Sequence, residues 1–133
     1  MEPMLSGDSA LADTAAARVA LEQQISQVLS PWFRYFAAYD PAPALRRLRV
    51  PVLAVVGSLD VQVAPDENLA AIEAALKAGG NPDYAIRKLP GLNHLLQRAT
   101  TGSIAEYART EETIAPEALA LFGDWILARA QRR

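Results

Sequence analysis

The chain carries a single histidine, His94, and no cysteine. That excludes a thiolate nucleophile, a disulfide framework, a thiolate metal site and a zinc site needing several histidines. What remains open is acid–base chemistry. An imidazole with its ordinary pKa of about 6.5 can take a proton from a hydroxyl and return it to a leaving group. A carboxylate that holds the ring in one tautomer and stabilises the imidazolium completes such a base. Asp60, in Gly57-Ser58-Leu59-Asp60, is the candidate carboxylate. Aspartate also favours such positions simply as a turn former. The rival is Asp66, but it directly follows Pro65 and suits the first turn of a helix and its dipole.

Both candidates sit where secondary structure would place them together. Residues 51–56 (Pro-Val-Leu-Ala-Val-Val) read as a strand of continuous apolar character, the kind buried on both faces of a parallel sheet. Asp60 lies in the turn that follows. A helix opens at Pro65, carries Leu69, Ile72, Ala75 and Leu76 on one stripe, and stops at Gly79-Gly80. Residues 84–89 form a second strand, broken by Pro90-Gly91, and His94 follows it. Open parallel sheets put their binding crevice at the C-terminal ends of their strands. Adjacent strands lie about 4.8 Å apart, so loops from those ends can bring Asp60 and His94 into contact.

The remaining segments frame this unit. A helix capped by Asp8 or Ser9 runs through Ser30, with apolar Val19, Leu21, Ile25, Val28 and Leu29. Ser30-Pro31 then caps and opens a short aromatic segment, Trp32, Phe33, Tyr35, Phe36 and Tyr39, ended by Pro41 and Pro43. After the second strand an irregular stretch of about 25 residues reaches Ala115, and loops of that length tend to be functional. Its polar part, from Thr100 to Glu112, is either a flap beside His94 or a cover for the sheet edge. Asn93 either orients His94 through its side chain or shapes a tight turn. A last helix opens at Pro116, with Leu119, Phe122, Ile126 and Ala130 on one stripe.

The fold class is therefore α/β: a parallel βαβα unit with a right-handed crossover, flanked by helices. Residues 1–44 read as an N-terminal helical segment and residues 45–133 as the sheet-bearing part. Two strands of such apolar character need cover on both faces, and their outer edges stand open. The chain wants more sheet than it contains.

The runs Ser30-Pro31-Trp32-Phe33-Arg34-Tyr35-Phe36, Pro51 to Asp60 and Leu89-Pro90-Gly91-Leu92-Asn93-His94 resemble the C-terminal part of an α/β-hydrolase. The similarity is to esterase-like and serine-aminopeptidase-like members and covers about residues 30–130. In that family an acid follows the penultimate core strand in a Gly-x-x-Asp turn, and the histidine follows the last strand. The resemblance thus implies Asp60 and His94 as the acid and base of a Ser-His-Asp triad, in the family's chain order. It implies hydrolysis of a small-molecule ester or amide, with no cofactor. It also makes residues 1–44 cap-derived and puts Trp32, Phe33 and Phe36 near the mouth of the cleft as substrate-binding residues. Packing in a core is their other reading.

One part of the family pattern is missing. The nucleophile belongs in Gly-x-Ser-x-Gly on a strand-to-helix turn upstream of the acid. Gly7-Asp8-Ser9-Ala10-Leu11 has leucine at the second glycine and no strand before it, so Ser9 reads as a helix cap. The chain is accordingly expected to be inert alone, a hydrolase fragment that supplies acid and base. The alternative is a non-catalytic fragment that self-associates through its open sheet edge as a homo-oligomer. A nucleic-acid partner is not expected, because 13 basic residues are scattered among 15 acidic ones and Arg46, Arg47 and Arg49 form only a short cluster. Nor is a membrane, because the longest apolar run is far short of a span. Residues 1–30 lack a signal-peptide pattern, which leaves the compartment open and makes it cytoplasmic only if the chain is complete as given.

Overall fold

A computed structural model of the chain describes residues 7–131, with side chains from residue 14 onward. Two compact units form, Met1–Asp40 and Pro41–Arg133.

The first unit contains helices α1 (Gly7–Val28) and α2 (Pro31–Ala38). The cap expected at Asp8 or Ser9 concerns side chains outside the described residues. Ser30 caps α2 as its sequence requires: its Oγ accepts the Phe33 N–H at 3.1 Å, and Pro31 follows at the first helical position. The apolar residues of α1 do not find a core. Val19, Leu21, Ile25, Val28 and Leu29 are all about half exposed or more. No residue of α2 is buried either. Trp32 stacks on Phe36 with ring centroids 5.5 Å apart, yet both lie mostly in solvent. Core packing of the aromatic group is therefore not what the structure adopts.

The second unit holds the sheet. After the short helix α3 (Ala42–Leu45) come β1 (Val52–Gly57), α4 (Pro65–Ala78) and β2 (Tyr84–Leu89). A 3-10 helix (Ile104–Arg109) and α5 (Pro116–Ala130) complete it. Strands β1 and β2 pair in parallel, from Val52 opposite Tyr84 to Gly57 opposite Leu89. This is the small α/β arrangement of two parallel strands and flanking helices that the patterning requires, a partial α/β-hydrolase core.

Helix α4 packs on both strands, burying Leu69, Ala75 and Leu76. Asn81 closes the turn after it. Its Nδ2 donates to the Leu48 and Val50 carbonyls while its Oδ1 accepts the Asp83 N–H, so one buried amide ties the connector before β1 to the start of β2.

Two expectations are corrected. Strand β1 is not buried throughout on both faces: Ala54 and Gly57 are buried, and Val52, Leu53, Val55 and Val56 are only partly so. Helix α4 packs on the strand, and the described residues include no third strand beside it. The second correction concerns α5. Its expected stripe included Leu119 and Ile126, but both are more than half exposed. The helix instead turns Ala118 inward, with Phe122 packing on the same small cluster. Ala118 is small enough to let the helix approach Leu92, and Leu89 and Ile114 fill the space around them. The far end of α5 is held by Arg129, which pairs with Asp83 and lies over the Trp125 ring at 3.8 Å.

Leu76 is fully buried while Leu119 is not. Leu76→Ala should lower the unfolding free energy by about 2–5 kcal/mol. Leu119→Ala should change it by less than about 0.5 kcal/mol. Urea denaturation of both variants checks the pair.

Candidate active site

Two backbone segments leave the same end of the sheet and are laced together before either candidate residue is reached. The Ser58 N–H donates to the Leu89 carbonyl at 2.8 Å, and the Leu59 N–H donates to the Leu92 carbonyl at 2.9 Å. The Ser58 Oγ accepts the Gly91 N–H at 2.8 Å. This closeness depends on Gly57. A Cβ there would run into the carbonyl oxygens of Leu92 and Asn93. Glycine in the Gly-x-x-Asp turn is thus a requirement of close approach between the two loops.

Asp60 ends the first of these loops, and it is buried. Its Oδ1 accepts the N–H groups of Gln62 and Val63, each at 2.9 Å. Its Oδ2 faces His94 Nδ1 at 2.9 Å. Burial pushes this carboxyl up. The Val63 N–H, the His94 ring and the Gln62 N–H pull it down, and their sum leaves the group below the usual carboxylate range. Asp60 is therefore ionised at neutral pH. A carboxylate with no proton to give needs a donor opposite it, so His94 Nδ1 carries the hydrogen of this bond.

His94 occupies the tip of the second loop, its side chain 36% exposed. The loop is closed by a single bridge between Leu92 and Arg98 and by the Ala99 N–H donating to the Gly91 carbonyl. Among the described residues, only Asp60 hydrogen-bonds the imidazole. Asn93 does not touch the ring. Its Oδ1 accepts the N–H groups of Leu95 and Gln97, which is the turn-shaping role of its two readings.

The polar stretch after the loop packs on the acid turn. Gly102, at φ +79°, lies against the Leu59 carbonyl so closely that a Cβ would collide with it. Tyr107, in the 3-10 helix, accepts a hydrogen bond from Gln62 Nε2 at 2.8 Å. The stretch expected to be irregular thus contains a helical turn and braces the segment that carries Asp60. Arg98 anchors its other end through Glu112 and Glu117.

Asp66, the rival acid, lies in the first turn of α4, strongly exposed and paired with Lys88 at 2.6 Å. It is not part of the pair. Trp32, Phe33 and Phe36 belong to the first unit, where Trp32 and Phe36 border a shallow groove of about 230 Å³ with Tyr35 and Tyr39. Gln62, Gln97, Gly102 and Tyr107 escaped the sequence reading. Single amides, a glycine and a tyrosine scattered through polar loops carry no periodic signal, and sequence does not tell a buried amide from an exposed one. Among the described residues, no group of three or more acidic or histidine side chains converges as a metal site would need.

The family model for the prolyl oligopeptidase family, peptidase S9, matches residues 11–117. The chain belongs to the prolyl oligopeptidase family. No curated protein and no solved structure matches it. The match spans α1 to the start of α5 and so includes both loops of the Asp60–His94 pair. It narrows the broader α/β-hydrolase resemblance to peptidase relatives. It also extends further toward the N-terminus than the runs that first carried the resemblance.

A group held below its unfolded pKa stabilises the fold above the ordinary carboxylate range and loses that contribution as pH falls. Asp60→Asn should therefore destabilise the chain by about 1–3 kcal/mol at pH 7, the scale of hydrogen bonds to a charged group. The difference from the native chain should shrink as pH drops below about 4. Denaturant midpoints measured from pH 7 to pH 3 check both the size and the sign.

Proposed function

We propose that this chain supplies the acid and base of a serine hydrolase acting on esters or small amide and peptide bonds. The observation that carries the proposal is the 2.9 Å contact between buried Asp60 and His94, between loops from the same sheet end. His94 Nε2 acts as general base toward a serine hydroxyl and then as general acid toward the leaving group. Asp60 holds the ring in the Nδ1–H tautomer and stabilises the imidazolium. The serine comes from sequence outside this chain. The resemblance supports reading residues 1–44 as derived from a cap, with Trp32, Phe33 and Phe36 contacting substrate. The exposure of Trp32 and Phe36 is compatible with that role.

The chain alone should hydrolyse fluorogenic esters and dipeptide amides no faster than buffer. Supplying in trans a hydrolase half that carries Gly-x-Ser-x-Gly should produce turnover. His94→Ala or Asp60→Asn should then reduce it by a factor on the order of 10³ to 10⁴. His94-dependent hydrolysis by the chain alone would overturn the external serine. Complemented turnover that survives His94→Ala would overturn the role of the base.

A second reading has its own observation, the unpaired outer edge of β1. Val52 and Ser58 donate toward β2, so by alternation Leu53, Val55 and Gly57 turn their backbone groups to the outside. Together with the incompletely buried faces of β1, that edge favours a homodimer joined strand to strand. Light scattering across a concentration series should then give twice the chain mass down to low micromolar concentration. A monomer at high concentration would rule this assembly out.

A further inference from the structure

A histidine at a loop tip keeps one geometry only if something beneath the tip enforces it. Below His94 lies a buried polar network that touches neither the ring nor Asp60. Asn93 is fully buried and Gln97 nearly so. The Asn93 Oδ1 accepts the Leu95 and Gln97 N–H groups at 2.9 and 3.0 Å, which identifies that atom as oxygen. Its Nδ2 donates to the Gln97 Oε1 at 3.0 Å. Gln97 Nε2 then donates to the Glu112 carbonyl at 2.8 Å, and the Gln97 carbonyl accepts the Asn93 N–H at 2.9 Å. The loop is thereby folded back on itself over four residues. Leu96, between the two amides, is held at φ +58°, a region that a leucine adopts only when its surroundings impose it.

We propose that Asn93 and Gln97 form a buried amide clasp that positions His94 so that its Nδ1 meets Asp60. The inference rests on the acid–base reading of that pair. Neither amide contacts a reacting atom, so both are positioning residues. The clasp works through the backbone. It fixes where the loop turns, and the turn fixes the direction in which the imidazole leaves the chain. Its anchor at Glu112 lies in the stretch that also holds Arg98, where the Arg98 N–H meets Glu112 Oε2 at 2.8 Å. The loop tip is therefore braced from the segment that precedes α5.

One histidine in the sequence means one imidazole signal in the spectrum. The ¹⁵N shifts of the ring in the labelled chain report which nitrogen carries the proton above the titration range. The native chain should show Nδ1 protonated and Nε2 bare. Asn93→Leu, similar in size but without hydrogen bonds, should lose that preference and shift toward the Nε2-protonated form. Gln97→Met should do the same from the other side of the clasp. Asn93→Asp keeps the acceptor bonds to the backbone but sets an acceptor against Gln97 Oε1, so it should recover the native tautomer only in part. The amide signals of α4 and β1 show whether each variant is folded, and Gln97→Met decides the matter if Asn93→Leu is not. Folded clasp variants that keep a native ring spectrum would overturn the clasp and leave the Asp60–His94 reading standing. A native chain with Nε2 protonated would overturn both.

Discussion

Everything about the candidate site depends on two backbone loops being able to touch where they leave the sheet. Gly57 stands at that crossing, with the carbonyl oxygens of Leu92 and Asn93 in the space a side chain would need. The hydrogen bonds from Ser58 and Leu59 to Leu89 and Leu92 carry the strand pairing past the last ladder residue. Asp60 and His94 are then only a few residues further along each loop. Their contact is the continuation of a backbone pairing that side-chain attraction alone would hold poorly, because one partner is a half-exposed ring on a loop tip.

Around that crossing, the polar groups are arranged so that each loop is held from several directions. Asp60 is bound by its own turn through Gln62 and Val63. Gln62 is held by Tyr107, and Leu59 is pressed by Gly102. The carboxylate stays ionised although buried because the donors facing it outweigh its desolvation. The long stretch between the loop of His94 and α5 is thus part of the scaffold of the pair.

The sheet shows the opposite condition. Strand β1 has the apolar composition of a strand covered on both faces, yet most of its residues are only partly buried. Leu119 and Ile126 of α5 and, in α1, Val19, Leu21, Ile25 and Val28 are likewise uncovered. These apolar surfaces stand open, whereas the loop pair is braced from several directions. The Asp60–His94 contact is held from both loops, while the residues along β1 are only partly covered.

Much of this was legible in the residues themselves. The strands, the helix between them, the order of acid before histidine and the choice of Asp60 over Asp66 follow from patterns a few residues long. Local patterns determine local structure, and parallel pairing then places the strand ends together. The chain's own pattern could not decide which faces find cover. The same apolar run suits a strand covered throughout and one covered only in part, and the stripe chosen for α5 missed the turn toward Ala118. Nor did it reveal the contacts of Gly57 with Asn93, of Gly102 with Leu59, or of Gln97 with Glu112. Each joins residues far apart along the chain or distinguishes a buried amide from an exposed one. Only the tertiary structure decides these, because they depend on how close two pieces of backbone come, and that distance is not written in the spacing of either piece.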